Sequence, residues 1–186
     1  MISIVCPTIT GREHWLERCQ IAYCETTDTE CEFIVIKDAT ACGIAWNQGC
    51  EEARGDYIHF TADDIEPTPG WWEVGIEWIK KGVLPAPRIL NTDGTLQSCG
   101  DNNQEWPTGA ETVVARIPFC SREQMERIFP IIDVHYWTDY DFTRKGKALG
   151  WPSIVVRDFL FYHHYAPEGR LDERLAADQK VFNAAG

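Results

Sequence analysis

The chain has 186 residues and a formal net charge of −12 at pH 7, and it is 44% hydrophobic and 12% aromatic. This length holds one domain with a real core, and the aromatic share excludes a disordered chain. The longest apolar runs have the length of strands and not of a membrane span. The acidic charge disfavours a surface that follows nucleic-acid phosphates, because that affinity comes from Lys and Arg, although a local basic groove stays open.

The N-terminal residues and the cysteines indicate the compartment. MISIVCPTI has neither the basic region nor the cleavage site of a signal peptide, so we expect a first strand there and a cytoplasmic protein. The eight cysteines are scattered without a C-x-x-C pair. This spacing favours reduced thiols in apolar positions over zinc ligands or disulfides.

The first sixty residues predict two strand–helix–strand units. Strands are predicted at residues 2–6, 33–36 and 57–61, and helices at 12–23 and 43–55, the second ending at Gly55 as its C′ residue. Such units predict a parallel sheet with right-handed crossovers. Ligands of these sheets bind beyond the carboxyl ends of the strands, and the residues that follow the three predicted strands are Pro7, Thr8, Asp38, Asp63 and Asp64.

The rest of the chain predicts shorter elements, with no repeat and no linker. These are a helix over 72–80 with Trp72, Ile76 and Ile79 on one face, a hairpin of 85–90 and 95–99 around NTDG, a helix from the capping box of Ser121 and Gln124 to about 128, a helix over 138–149 ending at Gly150, a strand over 153–157 and a tail helix.

The fold prediction is a single α/β domain whose mostly parallel central sheet is flanked by helices. Its nucleotide-binding half would cover about residues 1–66, its acceptor and catalytic half about 67–165, and its C-terminal tail helix 166–186.

Asp63 and Asp64 stand side by side directly after the third predicted strand. Adjacent like charges repel, so the pair needs either open water or a cation. A divalent cation that carries a diphosphate would account for the pair, because it takes oxygen ligands from one or two carboxylates and from substrate phosphates. An isolated pair is more often a solvated acidic turn, so its neighbours decide.

The order of the motifs resembles the GT-A fold glycosyltransferases, especially the large inverting family two. The segments that carry the resemblance, over about residues 2–164, are ISIVCPT, FIVIKD, NQGCEEARG, DYIHFTADDIEPTPGW, TDYDFTR and the HH pair. Each segment alone is weak evidence, and their order makes the set specific. The resemblance implies a Rossmann-like GT-A domain that uses a nucleotide diphosphate sugar.

For the donor, the resemblance implies that Pro7 and Thr8 line the nucleotide pocket and that Asp38 hydrogen-bonds the base. Asn47 would lie near the ribose or the diphosphate, and Asp63 would hold the ribose hydroxyls. Asp64 would bind Mn²⁺ or Mg²⁺, helped by His163 or His164, with His163 favoured. The first Asp of the family's D-x-D motif is Ala62 in this chain, which leaves metal ligation to Asp64.

For the transfer step, the resemblance places the catalytic base at Asp139, with Asp141 as the second candidate. These two residues lie about 200° apart on a helix, so only one can face the site squarely. Arg144 could pair with Asp141 as a salt bridge or reach the acceptor or the phosphates.

The predicted function is therefore metal-dependent glycosyl transfer from a nucleotide diphosphate sugar to an acceptor hydroxyl, with inversion. A UDP-sugar is the favoured donor, with GDP- or dTDP-sugars as alternatives. The acceptor is not specified, and a glycan, a protein, a small molecule or a modified nucleic acid would all fit. Two other functions stay open: a sugar-phosphate nucleotidyltransferase, and a non-catalytic domain that binds a nucleotide or a partner.

Overall fold

The computed structural model describes residues 1–100, 105–164 and 171–184. Its strands are β1 (Ile2–Thr8), β2 (Cys31–Lys37), β3 (Tyr57–Phe60), β4 (Ile65–Pro67), β5 (Leu84–Asn91), β6 (Leu96–Cys99), β7 (Glu111–Thr112), β8 (Phe119–Ser121) and β9 (Ser153–His163). Its helices are α1 (Glu13–Thr26), α2 (Cys42–Glu52), α3 (Trp71–Ile79), α4 (Arg122–Ile128), α5 (Thr138–Ala148) and α6 (Leu171–Ala184).

The first sheet has the strand order β2-β1-β3-β8. β1 is parallel to both neighbours, with Ile2 opposite Cys31 on one side and Tyr57 on the other. The two predicted strand–helix–strand units are thereby confirmed. β8 is antiparallel to β3, so the sheet is mixed at this edge.

The second sheet has the order β4-β9-β5-β6, with β7 also paired to β9. β5 and β9 are parallel, whereas β4, β6 and β7 run antiparallel to their partners. The predicted hairpin around NTDG is confirmed as β5 and β6, with Gly94 at φ 82° in the turn. β9 continues well past the predicted strand at 153–157 and ends at His163.

Two hydrophobic clusters cover the opposite faces of the first sheet. Val5 belongs to the cluster packed against α2, α4 and α5, which contains Trp46 and Phe142. Its neighbours in β1, Ile4 and Cys6, belong to the cluster packed against α1 and α3. Because successive side chains of a strand point to opposite faces, the sheet lies between two layers of helices. The predicted α/β fold is confirmed.

Gly55 does not end α2 as a C′ residue. The helix ends at Glu52, and Ala53 is already extended at φ −63° and ψ 133°. Gly55 instead lies against β1, where an added Cβ would come within 2.6 Å of the backbone nitrogen of Ser3. The prediction was wrong because glycine also serves where two backbones approach closely.

The buried face of α3 also differs from the prediction. It consists of Trp71, Gly75 and Ile79, whereas Trp72 and Ile76 are only partly buried. The indole nitrogen of the fully buried Trp71 donates to the hydroxyl oxygen of Thr27 at 3.1 Å. The buried face of α3 therefore begins at Trp71, one residue earlier than the hydrophobic pattern predicts, and the other buried positions of the helix shift accordingly.

Two predicted helix signals are confirmed. The Ser121–Gln124 capping box opens α4, and Gly150 follows α5 with φ 92°. α6 lies within the predicted tail, of which residues 166–170 and 185–186 are outside the described residues. Among the described helices, none combines the length and the apolar character that a membrane crossing requires.

Candidate active site

Two cavities open at the carboxyl edge of the first sheet. The smaller one, about 340 Å³, we call the strand-end cavity, and the residues of its lining that matter here are Pro7, Thr8, Arg12, Asp63, Asp64 and His163. The larger one, about 630 Å³, we call the α5 cavity because the first residues of α5 line it, together with Gln97 and Arg116. Both are lined by Cys42, Thr61, Ala62, His135, Tyr136 and His163, so they form one cleft.

The guanidinium of Arg12 lies between the two adjacent aspartates. Its Nε is 2.9 and 3.0 Å from the carboxylate oxygens of Asp63, and its Nη2 is 2.7 Å from Asp63 Oδ1 and 2.7 Å from Asp64 Oδ2. The Thr8 hydroxyl donates to Asp63 Oδ2 at 2.6 Å. The hydrogen bond with Asp63 raises the pKa of Arg12 further. A cation of the protein itself thus offsets the repulsion between the two carboxylates.

Asp64 also faces a histidine from the second sheet. His163 is the last residue of β9, and its Nε2 lies 3.3 Å from Asp64 Oδ1. Its Nδ1 lies 2.8 Å from Gln97 Oε1 on β6, which fixes the ring orientation. Burial acts to raise the pKa of Asp64, but the hydrogen bond with His163 and the charge of Arg12 outweigh it, so this pKa is lowered.

Asp64 and His163 fit a divalent cation as a pair of ligands. A carboxylate oxygen and an imidazole nitrogen suit Mn²⁺, and Mg²⁺ is often held by one or two carboxylates plus substrate phosphates. The contact with Gln97 resembles the outer-shell hydrogen bond that usually orients a metal-binding histidine. Within the described ranges, no group of three or more His, Cys, Asp or Glu side chains could hold a metal. A cation held by Asp64 and His163 alone would therefore take its remaining ligands from oxygen atoms of a bound substrate.

His164 does not share this arrangement. Its Nε2 lies 3.0 Å from Glu66 Oε2 and 3.3 Å from Arg18 Nη2, and it lines neither cavity. Its backbone N–H donates to the carbonyl oxygen of Asp64 at 2.8 Å. Of the two predicted histidines, the structure brings only the His163 side chain to Asp64.

Asp38 and Asn47 lie outside both cavity linings. Asp38 follows β2 in the left-handed region at φ 59°, and its carboxylate accepts from the N–H and the hydroxyl of Thr10 at 2.7 and 2.8 Å. These hydrogen bonds lower the pKa of Asp38. The Asn47 amide bonds the backbone of Ile131 and the carboxylate of Asp133, so it holds α2 against the segment before α5.

Asp139 is the predicted base that the structure places in the α5 cavity. Its side chain is 15% exposed, its Oδ1 accepts from the Tyr140 N–H at 3.0 Å, and its Oδ2 lies 3.3 Å from Arg116 Nη1. Burial raises the pKa of Asp139, and the Arg116 charge opposes that rise only in part. A carboxylate that lines a cavity and has a raised pKa has the properties of a general base.

Asp141 faces the interior on the other side of α5. Its side chain is 1% exposed, and its carboxylate contacts Arg144 Nη2 at 2.7 Å, Lys145 Nζ at 2.8 Å and the Ile132 N–H at 3.0 Å. Burial acts to raise the pKa of Asp141, but these hydrogen bonds outweigh it and lower that pKa. Of the two aspartates, only Asp139 lines a cavity, and Arg144 forms a salt bridge with Asp141.

Several cavity residues carry no recognisable motif. The sequence predicts Arg12 only as the start of a helix, and it gives no role to Gln97, Arg116 or the segment 135–137. Arg12 could have been found from its position four residues after Thr8, because the first turn of α1 starts at the carboxyl edge of the sheet. The others come from loops and from the hairpin, and only the tertiary fold brings them to the cleft.

The chain is similar to known proteins both in sequence and in fold. Residues 21–109, just under half of the chain, match the sequence model of Glycosyl transferase family 2. The crystal structure of S. aureus TarS matches with a TM-score of 0.68 at 14% identity, over 90% of this chain and 37% of that one. The crystal structure of S. aureus TarS 1–349 in complex with UDP-GlcNAc matches with a TM-score of 0.67 at 13% identity, over 90% of this chain and 59% of that one. No curated protein matches significantly.

The fold is therefore that of the TarS structures, and residues 21–109 carry the similarity to Glycosyl transferase family 2. This range contains Asp63 and Asp64 but ends before Asp139 and His163. The chain spans 37% of TarS and about 60% of the TarS 1–349 fragments, which is less than two thirds of each.

Proposed function

We propose that this protein transfers a sugar from a nucleotide diphosphate sugar to an acceptor hydroxyl, with inversion at the anomeric carbon. One observation carries the proposal. Asp64 with His163 in the strand-end cavity and the partly buried Asp139 in the α5 cavity line a single cleft. Donor binding and proton removal from an acceptor need two such carboxylates in adjoining spaces.

The strand-end cavity is the proposed donor site. Thr8 and Arg12 hold Asp63 in a fixed position, which suits hydrogen bonds to ribose hydroxyls. A UDP-sugar is the favoured donor, supported by the TarS 1–349 complex with UDP-GlcNAc. Asp64 and His163 would hold Mn²⁺ or Mg²⁺. When bound, such an ion would neutralise charge on the donor diphosphate.

In the proposed reaction, Asp139 takes the proton of the acceptor hydroxyl. The acceptor oxygen then bonds to the anomeric carbon while the bond from that carbon to the diphosphate oxygen breaks, and the nucleoside diphosphate leaves with the electron pair. A single displacement of this kind inverts the configuration. The raised pKa of Asp139 favours this role, because a base works best when its pKa lies closer to the operating pH.

The decisive experiment measures nucleotide release from UDP-glucose and UDP-GlcNAc with Mn²⁺, using water as the acceptor. We expect release of UDP that is lost in Asp64→Asn and Asp139→Asn and kept in Asp158→Asn, a control residue that is exposed on β9. Release of pyrophosphate from UTP and a sugar phosphate would instead identify a nucleotidyltransferase. Calorimetric binding of UDP without any turnover would favour the non-catalytic alternative.

A further inference from the structure

The last turns of α6 lie against the segment that joins the two cavities. Asp178 on α6 accepts two hydrogen bonds at its Oδ2, from the backbone N–H of His135 and from that of Tyr136, both at 2.8 Å. Hydrogen bonds from neutral donors to a carboxylate are stronger than those to a neutral acceptor. One side chain of the tail helix therefore binds two consecutive peptide groups that lie 43 and 42 residues earlier in the chain.

A second contact from α6 lies one helical turn further on. Phe182 stacks on Trp137, with ring centroids 5.4 Å apart and an interplanar angle of 23°. Residues four apart share a helix face, so Asp178 and Phe182 act on the same segment. The guanidinium of Arg144, on α5, lies 5.2 Å from the centroid of the Phe182 ring. The contact thus also includes the helix that carries Asp139.

The segment held by α6 is the wall of the cleft. His135 and Tyr136 line both cavities, and Trp137 lines the α5 cavity. Trp137 has φ 70°, a left-handed conformation that residues with a large side chain rarely adopt. Such a conformation persists where the surroundings fix it. Because Asp139 follows two residues later, displacement of this segment would also displace the proposed base.

We propose that Asp178 and Phe182 are positioning residues, which hold residues 135–137 and thereby set the shape of the α5 cavity. This inference rests on the proposed function for its effect on catalysis, but its structural part does not. The hydrogen bonds of Asp178 fix the main chain of the wall, and the ring of Phe182 fixes Trp137 at the start of α5. The Asp178 and Phe182 side chains line neither cavity, and Trp137 and Asp139 line only the α5 cavity. His135 and Tyr136 also line the strand-end cavity, so donor binding should change less than turnover.

Amide exchange measured by NMR tests the structural part without any turnover. We expect the His135 and Tyr136 amides to be protected in the wild-type protein and in Gln179→Ala, whose residue is exposed on the same helix. In Asp178→Ala both amides should exchange at least about tenfold faster. Asp178→Asn, which keeps an acceptor oxygen, should retain part of the protection. Equal exchange in wild type and Asp178→Ala would overturn the proposal.

Kinetics of UDP-GlcNAc hydrolysis test the catalytic part. We expect Asp178→Ala and Phe182→Ala to lower kcat roughly ten- to a hundredfold, because small misplacement of a reacting group is costly. KM for UDP-GlcNAc and the calorimetric Kd for UDP should change much less than kcat. Phe182→Tyr should restore kcat, and the exposed neighbour Val181→Ala should not affect it.

The outcomes separate the two proposals. A wild-type kcat in both alanine variants, or a loss of UDP affinity in parallel with kcat, would contradict the positioning role. If the wild-type protein hydrolyses neither UDP-GlcNAc nor UDP-glucose, the proposed function fails, while the amide exchange still decides whether α6 holds the wall.

Discussion

The two halves of the cleft are built in different ways. The strand-end cavity takes most of its charged and polar residues from the ends of β1 and β9 and from the short segments that follow β1 and β3, close to the sheets. The α5 cavity also has strand residues in its lining, such as Gln97, but the residues around Asp139 come from the stretch around Arg116, from the segment 135–137 and from the first turn of α5. There the backbone is fixed by long-range contacts instead, above all those of Asp178.

The state of the carboxylates differs in the same way. Asp63 is held by the Thr8 hydroxyl and by several contacts of Arg12, so it serves as a fixed charge. Asp139 has one long ion pair with Arg116 and one backbone hydrogen bond, and burial raises its pKa. A saturated carboxylate suits binding, and a sparsely paired one suits proton exchange. In the proposed function, this difference assigns binding to the strand-end cavity and proton removal to the α5 cavity.

The largest expected effect concerns proton removal in the α5 cavity. Asp139→Asn removes the proposed base, so turnover of UDP-GlcNAc should fall roughly a hundred- to ten-thousandfold while the Kd for UDP changes little. The measurement is steady-state release of UDP, with calorimetry for the affinity. Asp141→Asn is the matched control on the same helix and should keep turnover while it is folded. An active Asp139→Asn beside a folded but inactive Asp141→Asn would reverse the assignment.

The next effect concerns stability and not turnover. Asp141→Ala leaves Arg144 and Lys145 without their buried partner, and we expect a loss of roughly 1.5–3 kcal/mol in the free energy of unfolding at pH 7. Because the folded-state pKa of Asp141 is lowered, its contribution is present above its unfolded pKa of about 3.9 and is lost as the pH falls through the folded pKa. Urea melts of both proteins should therefore converge below that pKa, and a constant difference down to the most acidic pH would contradict this cause.

A smaller effect concerns metal binding in the strand-end cavity. If His163 is a metal ligand that Gln97 orients, Gln97→Ala should weaken Mn²⁺ binding roughly ten- to a hundredfold in the presence of UDP. Electron paramagnetic resonance of free Mn²⁺ measures the affinity without any turnover. His164→Ala is the control, since that imidazole contacts Glu66 and not Asp64. Equal Mn²⁺ affinity in Gln97→Ala and wild type would mean that Gln97 does not orient a metal-binding His163.

The halves also differ in how far the sequence predicts them. The sequence predicts the position of Asp63 and Asp64, because they follow a strand-length apolar run and the carboxyl ends of parallel strands meet at one edge of the sheet. The position of Asp139 on one face of a helix follows from helical spacing together with the family resemblance. Only the family resemblance indicates His163 as the partner of Asp64, because this residue comes from the far end of β9, and that strand runs beyond the pattern of its first five residues.

Other residues of the site cannot be predicted from the local sequence. Nothing around Gln97, Arg116 or Tyr136 marks them as cleft residues, because their positions depend on how the second sheet and α6 pack. Asp38 shows the reverse case, since it follows its strand as predicted but turns left-handed and bonds Thr10. The sequence gives the strand end, whereas the direction of a side chain depends on its local partners.

The smallest expected effect tests the electrostatics of the α5 cavity through the pH dependence of turnover. The Arg116 charge, 3.3 Å from Asp139, lowers the pKa of that carboxyl against the rise due to burial. Arg116→Gln removes this charge, so the pKa of Asp139 should rise further. A general base acts in its deprotonated form, so the acid limb of kcat should move to higher pH, while the rate on the alkaline plateau stays near wild type. Arg127→Gln is the control, since Arg127 pairs with Glu123 on α4 and lines neither cavity. An acid limb that stays in place, or moves to lower pH, would mean that another group controls the protonation step.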